Sequence, residues 1–386
     1  MSQRVIVAGG TGLVGSHLVV ELLRSGGYEV HCTVRSAQSA EKLREVCEWW
    51  GVDFSLVVLH RVDLCSDMDI LGLLSEVSPS LYFHLAAQVS LDGADAQNMI
   101  RGNVDMSEAL CSAMYEYNIK RGGSTAVVFV SSIAAIGGAK VSGGEIDESC
   151  EIDHIHSLEP YSLSKFLSEN VMWRLSRMGV PVVMVNPSVV LGISGSSEGG
   201  SGIETALRLL SRGLPFYTKA EMGFVDVRDV ARVMRLLSDR LLEELSKRGA
   251  AEGLCLEDKA AKISNRVIAQ RFIVSGGNYT YKELIGTFAK TNSKKPPRIY
   301  LSRMAVRCGI AVLGAGAFLV GKKPKFTKSM VGFLTSSSRY STAKLQGVLP
   351  ELRYHTLSET ADMIGQRMGK SQDRINGSEN HKREPQ

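Results

Sequence analysis

Several class-defining features are absent from this 386-residue sequence. Its seven cysteines (Cys32, Cys47, Cys65, Cys111, Cys150, Cys255 and Cys308) form no CxxC pair. Their odd number and scatter exclude a disulfide framework or a zinc ribbon and point to reduced thiols. No apolar run reaches the ~20 residues that cross a bilayer; the nearest, Cys308 to Gly321, is too short and rich in glycine and alanine. The net charge of +5 is spread along the chain, so no basic stripe marks a nucleic-acid or membrane surface. There is no internal repeat. The first strand pattern starts almost at residue 1, so no signal or transit peptide is expected. With the reduced thiols, this gives an expectation of a cytoplasmic protein.

What is present begins at Arg4-Val5-Ile6-Val7-Ala8-Gly9-Gly10-Thr11-Gly12-Leu13-Val14-Gly15. A β-branched run ends in three glycines spaced by two residues, and an amphipathic helix pattern follows at Leu18, Val19, Leu22 and Leu23. Gly9 permits the turn, Gly12 permits close approach of a pyrophosphate, and Gly15 permits tight helix-on-strand packing. The helix N-terminus then offers free N–H groups to phosphates. Glycine triplets alone occur for structural reasons, but the strand-to-helix context selects nucleotide binding.

Strand and helix patterns then alternate, the signature of parallel βαβ units. Strands are expected near Glu29–Val34, Ser55–Val62, Leu81–Leu85, Ala126–Val130 and Val180–Val185, and helices at Ala40–Trp50, Met68–Val77, Asn98–Tyr117 and Tyr161–Met178. Beyond Asn186 the pattern loosens. Helices are expected at Ile203–Leu210, from Val227 to about Leu245, at Tyr281–Ala289, near Phe326–Leu334 and near Ser358–Met368, and ordered segments at Arg271–Val274 and Arg298–Leu301. Ser246–Gln270 reads as a surface insertion. The fold class is α/β: a Rossmann-type doubly wound parallel sheet over residues 1–190, with returning segments near 224–250 and 271–276. A smaller substrate-binding lobe occupies most of 191–368, and 369–386 is a polar, disordered tail.

Arg35, after Thr33-Val34, stands where an acidic residue would select NAD by its ribose hydroxyls; a guanidinium there favours the 2′-phosphate of NADP, with NAD the alternative and a solvated arginine the bland one. Asp63-Leu64 closes the third strand and can reach the adenine, and Ala86 and Ala87 leave room for the cofactor after the fourth. Downstream, Tyr161 and Lys165 sit four residues apart on one helix face. The ammonium favours the phenolate and brings Tyr161 toward working range as a proton shuttle, and Lys165 can hold ribose hydroxyls. Ser131 and Ser132 end the fifth strand, either able to hydrogen-bond a carbonyl oxygen.

With these residues the sequence resembles the extended short-chain dehydrogenases/reductases, over roughly residues 4 to 368. The likeness rests on the glycine turn, Asp63-Leu64, His84-Leu85-Ala86-Ala87, Asn103, Val130-Ser131-Ser132, Tyr161 with Lys165, Asn186-Pro187 and Gly223-Phe224-Val225-Asp226-Val227-Arg228-Asp229. It implies that Tyr161 is the general acid/base, Lys165 the ribose-holding helper, Ser132 the carbonyl-orienting residue and Asn103 a buttress. The cofactor would contact Gly9, Thr11, Gly12, Leu13, Val14, Gly15, Arg35, Asp63, Leu64, Ala86, Ala87, Tyr161, Lys165, Pro187 and Ser188. Arg35, the 223–229 segment and the apolar 308–321 stretch suggest the branch resembling dihydroflavonol reductases and 3β-hydroxysteroid dehydrogenases. There, the expected chemistry is NADP-dependent interconversion of a carbonyl and a secondary alcohol on a hydrophobic, steroid- or flavonoid-like substrate.

Two alternatives stand beside it. One is an NAD-dependent sugar-nucleotide epimerase or dehydratase, against which Met222 stands where those enzymes commonly carry an arginine. The other is a non-catalytic NADP-binding sensor. A homodimer through the two long helices and peripheral membrane contact through about 308–326 are family-level expectations; no nucleic-acid partner is expected. Cys150, Asp153, His154 and His156 cluster without a second group to complete a metal site, so no metal is expected; His154 or His156 touching substrate is the remaining use.

Overall fold

The computed structural model describes residues 2–89, 95–139, 143–194, 202–250, 266–319 and 329–368. It divides into two compact units, one of Met1–Val190, Val227–Ser275 and Ser341–Arg353, the other of Leu191–Asp226, Gly276–Tyr340 and Tyr354–Gln386.

The first unit is built on β1 (Gln3–Ala8), α1 (Leu13–Ser25), β2 (Tyr28–Val34), α2 (Ala37–Trp49), β3 (Val57–Arg61), α3 (Asp67–Val77), β4 (Leu81–His84), α4 (Ala96–Tyr115), β5 (Ala126–Val130), α5 (Pro160–Arg177), β6 (Val182–Pro187), α6 (Val227–Ala250) and β7 (Gln270–Val274). The seven strands lie in the order β7-β6-β5-β4-β1-β2-β3, every neighbouring pair parallel. The chain starts in the middle and winds outward both ways, so strand order reverses between β1 and β4 and a crevice opens at their carboxyl ends.

Parallel strands covered on both faces must be apolar: β4, β5 and β6 are buried along their whole length and β1 from Val5 to Ala8. Alternation assigns the faces. Ile6 and Ala8 pack with Leu74, Leu110, Met114, Phe129, Met172 and Met184 in the core under α3, α4 and α5. Val5 and Val7 point to the opposite face, where α1 and α6 pack together and Arg235 on α6 pairs with Glu21 on α1 at 2.9 Å.

Several element boundaries differ from the sequence expectation, each for a local reason. The second helix begins at Ala37, not Ala40, because Ser36 and Ser39 form a reciprocal capping box. Phe54–Leu56 is a 3₁₀ turn capped by Asp53, so β3 starts at Val57 and ends at Arg61; Asp63 and Leu64 therefore lie beyond the strand rather than closing it. The sixth strand runs to Pro187, taking Asn186-Pro187 into the sheet. Part of the expected insertion is ordered: α6 continues to Ala250, and Val267 and Ile268 are buried with their N–H groups donated to Glu244 on that helix. The expected disordered tail, and residues 251–265 of the insertion, fall outside the described residues.

In the second unit, the antiparallel pair Glu221–Asp226 and Gly277–Thr280 leads into helix Tyr281–Thr291, whose start is fixed by a Thr280–Glu283 capping box. Helices Gly202–Ser211, Arg303–Leu319, Ser329–Thr335 and 357–368 complete it. Among the described residues no helix is long and apolar enough to cross a membrane. The apolar 308–326 stretch is described only to residue 319, and there Val312 and Leu313 are exposed.

Candidate active site

The glycine turn links β1 to α1 at the carboxyl edge of the sheet. Gly9 has φ +87°, and a Cβ on it would lie 2.6 Å from the Ala86 nitrogen. The turn and the segment after β4 are therefore pressed together, and only glycine fits. A Cβ on Gly15 would stand 2.2 Å from the Gly9 carbonyl oxygen, so helix and strand also meet there. Gly12 differs: its Cβ would meet nothing closer than 3.4 Å. Gly12 caps α1 without a side-chain hydrogen bond, and the first turn of the helix has no acidic residue. These are the features of an anion-receiving helix end. Thr11, Leu13 and Val14 are partly exposed along this edge. Sequence reasoning gave Gly10 no role; a Cβ there would strike Cys32 Sγ at 2.3 Å.

At the end of β2, Arg35 is exposed. In the β2–β3 register Val34 pairs with Arg61, also exposed, which places a second guanidinium-bearing residue on the adjacent strand end. The sequence missed Arg61 because strand order, not spacing, makes it a neighbour. Asp63 is exposed, and its Oδ1 accepts the Cys65 N–H at 3.0 Å. Leu64 packs against the core instead of standing open. Ala86 and Ala87 are partly exposed, and Pro187 and Ser188 are buried.

Tyr161 and Lys165 occupy the first two turns of α5, which starts with Pro160 at its first helical position. Lys165 is buried, and its Nζ donates to the Val130 carbonyl at 3.1 Å. Burial lowers its pKa to about 8, with the Glu169 carboxylate acting in the opposite direction. The two serines divide: Ser132 lies close enough to the Tyr161 phenol to favour its anion and accepts the Ala134 N–H at 3.1 Å, whereas Ser131 Oγ is buried with no hydrogen-bond partner among the described residues. The phenol, however, does not have the depressed pKa expected from its lysine. Burial raises it, and the nearby Ser132 hydroxyl only partly offsets this; the ammonium is turned to a backbone carbonyl instead.

Asn103 on α4 is buried. Its side chain accepts the Gln88 N–H at 2.6 Å and donates to the Gln88 carbonyl at 2.9 Å and to Ser164 Oγ at 3.2 Å. It thus clamps the segment after β4 to the helix carrying Tyr161. His84, at the end of β4, stacks on Phe129 with ring centroids 5.6 Å apart. Burial, reinforced by Lys165, pushes its pKa down to about 3, so the imidazole stays neutral.

The crevice fits a dinucleotide on three observations: a close-packed glycine turn with a bare helix end, polar atoms at Asn186 Oδ1 and Ser188 Oγ that are buried without a partner among the described residues, and a lysine whose one hydrogen bond among them is to the Val130 carbonyl. His154 and His156 are exposed.

A family model described as the NAD dependent epimerase/dehydratase family matches residues 5–247. A putative dihydroflavonol 4-reductase of Synechocystis sp. is 32% identical over 232 residues, covering 60% of this chain and 62% of that one. Cinnamoyl-CoA reductase 2 of Arabidopsis thaliana is 29% identical over 234 residues, 59% and 66% of the two chains. The chain thus spans less than two thirds of the length of either relative. Yeast methylglyoxal/isovaleraldehyde reductase Gre2, solved with NADPH, superposes with a TM-score of 0.67 at 19% identity, over 96% of this chain and 99% of that one.

Proposed function

The chain belongs to the NAD dependent epimerase/dehydratase family, and from that premise we propose that it is an NADP-preferring oxidoreductase interconverting a carbonyl and a secondary alcohol on a hydrophobic, flavonoid- or steroid-like substrate. One observation carries the proposal. Tyr161, with Ser132 beside its phenol and one turn before the buried Lys165, stands at the same sheet edge as the glycine turn.

The chemistry supplied by a bound nicotinamide dinucleotide is hydride transfer. Gly9, Thr11, Gly12, Leu13, Val14 and Gly15 would hold its pyrophosphate, and Arg35 its 2′-phosphate. Asp63, Ala86, Ala87, Pro187 and Ser188 would line the rest, while Leu64 is turned to the core. Ser132 donates to the substrate oxygen and orients it. Tyr161 gives its proton to that oxygen as negative charge develops, and a phenol whose pKa burial holds up is protonated and ready to donate in the reductive direction. Lys165 balances the phenolate left behind, and Asn103 fixes the backbone around both.

Support for reduction comes from the named activities of the relatives, and support for NADP from Arg35 with Arg61. Met222 is buried in its strand and offers no charge to a sugar-nucleotide pyrophosphate, which speaks against the epimerase alternative. Homodimerisation and membrane contact through 308–326 belong to the same proposal; sedimentation and vesicle flotation read them.

The test is NADPH oxidation against a panel of flavanonols, steroid ketones, aromatic aldehydes and sugar nucleotides, beside Tyr161→Phe. Turnover on a hydrophobic carbonyl should fall about 10²–10⁴-fold in the variant, the usual contribution of a general acid, with NADPH affinity retained. Full turnover in Tyr161→Phe would remove the assignment.

A further inference from the structure

A buried chain of polar groups connects the Tyr161 helix to the edge strand β7, and the chemistry above makes no use of it. Glu169, one turn beyond Lys165 on α5, is 1% exposed. Its Oε1 accepts from Asn186 Nδ2, and the same nitrogen donates to the Ser132 carbonyl at 2.9 Å. Its Oε2 accepts from Arg271 Nη1 at 3.1 Å. The other Arg271 N–H groups reach the Glu148 carbonyl at 3.1 and 2.8 Å and the Cys150 carbonyl at 3.3 Å, where the chain turns toward Tyr161. Lys344 Nζ holds the Arg271 carbonyl at 2.9 Å.

Stability does not account for such a pair. Apolar residues of equal volume are often as stable or more so. What the network does is geometric: one carboxylate ties together the end of β5, β6, β7 and the approach to α5.

We propose that Glu169 is a positioning residue, anchored by Arg271, that holds the Ser132 backbone through Asn186 and sets its carboxylate one turn from Lys165 on the same helix. This rests on the reading of Ser132, Tyr161 and Lys165 as the proton-transfer group. Around Lys165 stand Tyr161 and Glu169 on its own helix, the Val130 carbonyl and the Phe129 ring, 5.8 Å away, on β5, and neutral His84 on β4. Arg271 on β7 lies beyond Glu169. Among these the Glu169 carboxylate is what favours the charged amine; without it, burial in an apolar setting acts unopposed.

The experiment follows the Lys165 titration in full-length protein carrying ¹³Cε-lysine, the signal being identified by its loss in Lys165→Met. The wild-type midpoint is expected near about 8. In Glu169→Gln it moves to lower pH by about one unit, the effect of losing an opposite charge nearby. The alkaline limb of kcat/KM for NADPH-dependent carbonyl reduction moves with it, while NADPH affinity is kept. Glu169→Asp, which retains the charge on a shorter arm, shows a smaller shift in the same direction and decides the matter if the glutamine variant does not fold. An unmoved midpoint in the folded variant overturns the proposal. A moved midpoint in a protein that reduces no carbonyl sinks the reductase reading and leaves the role of Glu169 toward Lys165 standing.

Discussion

Replacing Arg271 with methionine should destabilise the protein in a pH-dependent way. The side chain is 16% exposed and its partner Glu169 2%, so the substitution keeps much of the volume but strands a carboxylate in the interior. Removing one partner from a buried pair typically costs about 3–5 kcal/mol. Part of that loss is independent of pH, because the Glu148 and Cys150 carbonyls lose a charged donor, at roughly 1–3 kcal/mol. The remainder depends on Glu169, whose pKa already lies above the usual carboxylate range because of burial, with Arg271 and Asn186 among the groups holding it down.

Without Arg271 the native-state pKa rises further. Below the ordinary glutamate pKa both states bind the proton and Glu169 adds nothing to the loss. Between that value and the raised native one, the unfolded chain releases the proton while the folded chain keeps it, so stability falls as pH rises. The variant should therefore lose more at ~pH 8 than at ~pH 5. Over 386 residues at about 2.1 cal/mol/K each, a loss of about 3 kcal/mol corresponds to a Tm lower by roughly 4 °C, read by circular dichroism melts at both pH values. Equal losses at the two would show that Glu169 is not the group left uncompensated. A melt within about 1 °C of wild type at both, less than a ~1 kcal/mol change, would refute the buried-pair account altogether.

Two glycine variants should separate in kind. Gly15→Ala, with its Cβ 2.2 Å from the Gly9 carbonyl, should lower the Tm and abolish NADPH binding; Gly12→Ala, with 3.4 Å of room, should melt near wild type and weaken binding in a fluorescence titration. Ser36→Ala removes the reciprocal cap of α2 and should destabilise by about 1 kcal/mol in urea unfolding, with no change in the glycine turn. His84, held neutral down to about pH 3, must bind a proton when the chain unfolds in acid, so it contributes stability that declines as pH falls below its unfolded pKa of ~6.5. His84→Phe should flatten that part of the urea-midpoint profile, and an unchanged slope would show that the acid sensitivity originates elsewhere.

The fold and the first outline of the site were legible because they are written in local pattern. A β-branched run ending in Gly9, Gly12 and Gly15, alternation of strand and helix periods, and Tyr161 four residues before Lys165 each act within one or two turns of chain. Element ends were less legible: the Ser36 cap and the 3₁₀ turn at Phe54 are decided by single hydrogen bonds that shift a boundary by a few residues. Apolar periodicity does not register them.

What only the tertiary structure decided were relations between distant residues. Strand order puts Arg61 beside the end of β2, and packing sets Cys32 beneath Gly10. The resemblance favoured Ser132 over Ser131 without excluding the latter; the three-dimensional arrangement sets Ser132 beside the Tyr161 phenol and buries Ser131 Oγ with no partner among the described residues. Sequence spacing suggested that Lys165 depresses the Tyr161 pKa, but Tyr161 and Lys165 are both drawn out of water, and burial dominates a neighbouring charge that is engaged with the Val130 carbonyl. The buried chain from Ser132 through Asn186 and Glu169 to Arg271 spans residues 132 to 271, and no periodicity links them. Local sequence determines which elements form, because their hydrogen bonds and apolar faces are short-range. Charge pairing and desolvation depend on what folding brings near, and those were settled only when β5, β6 and β7 came together beside α5.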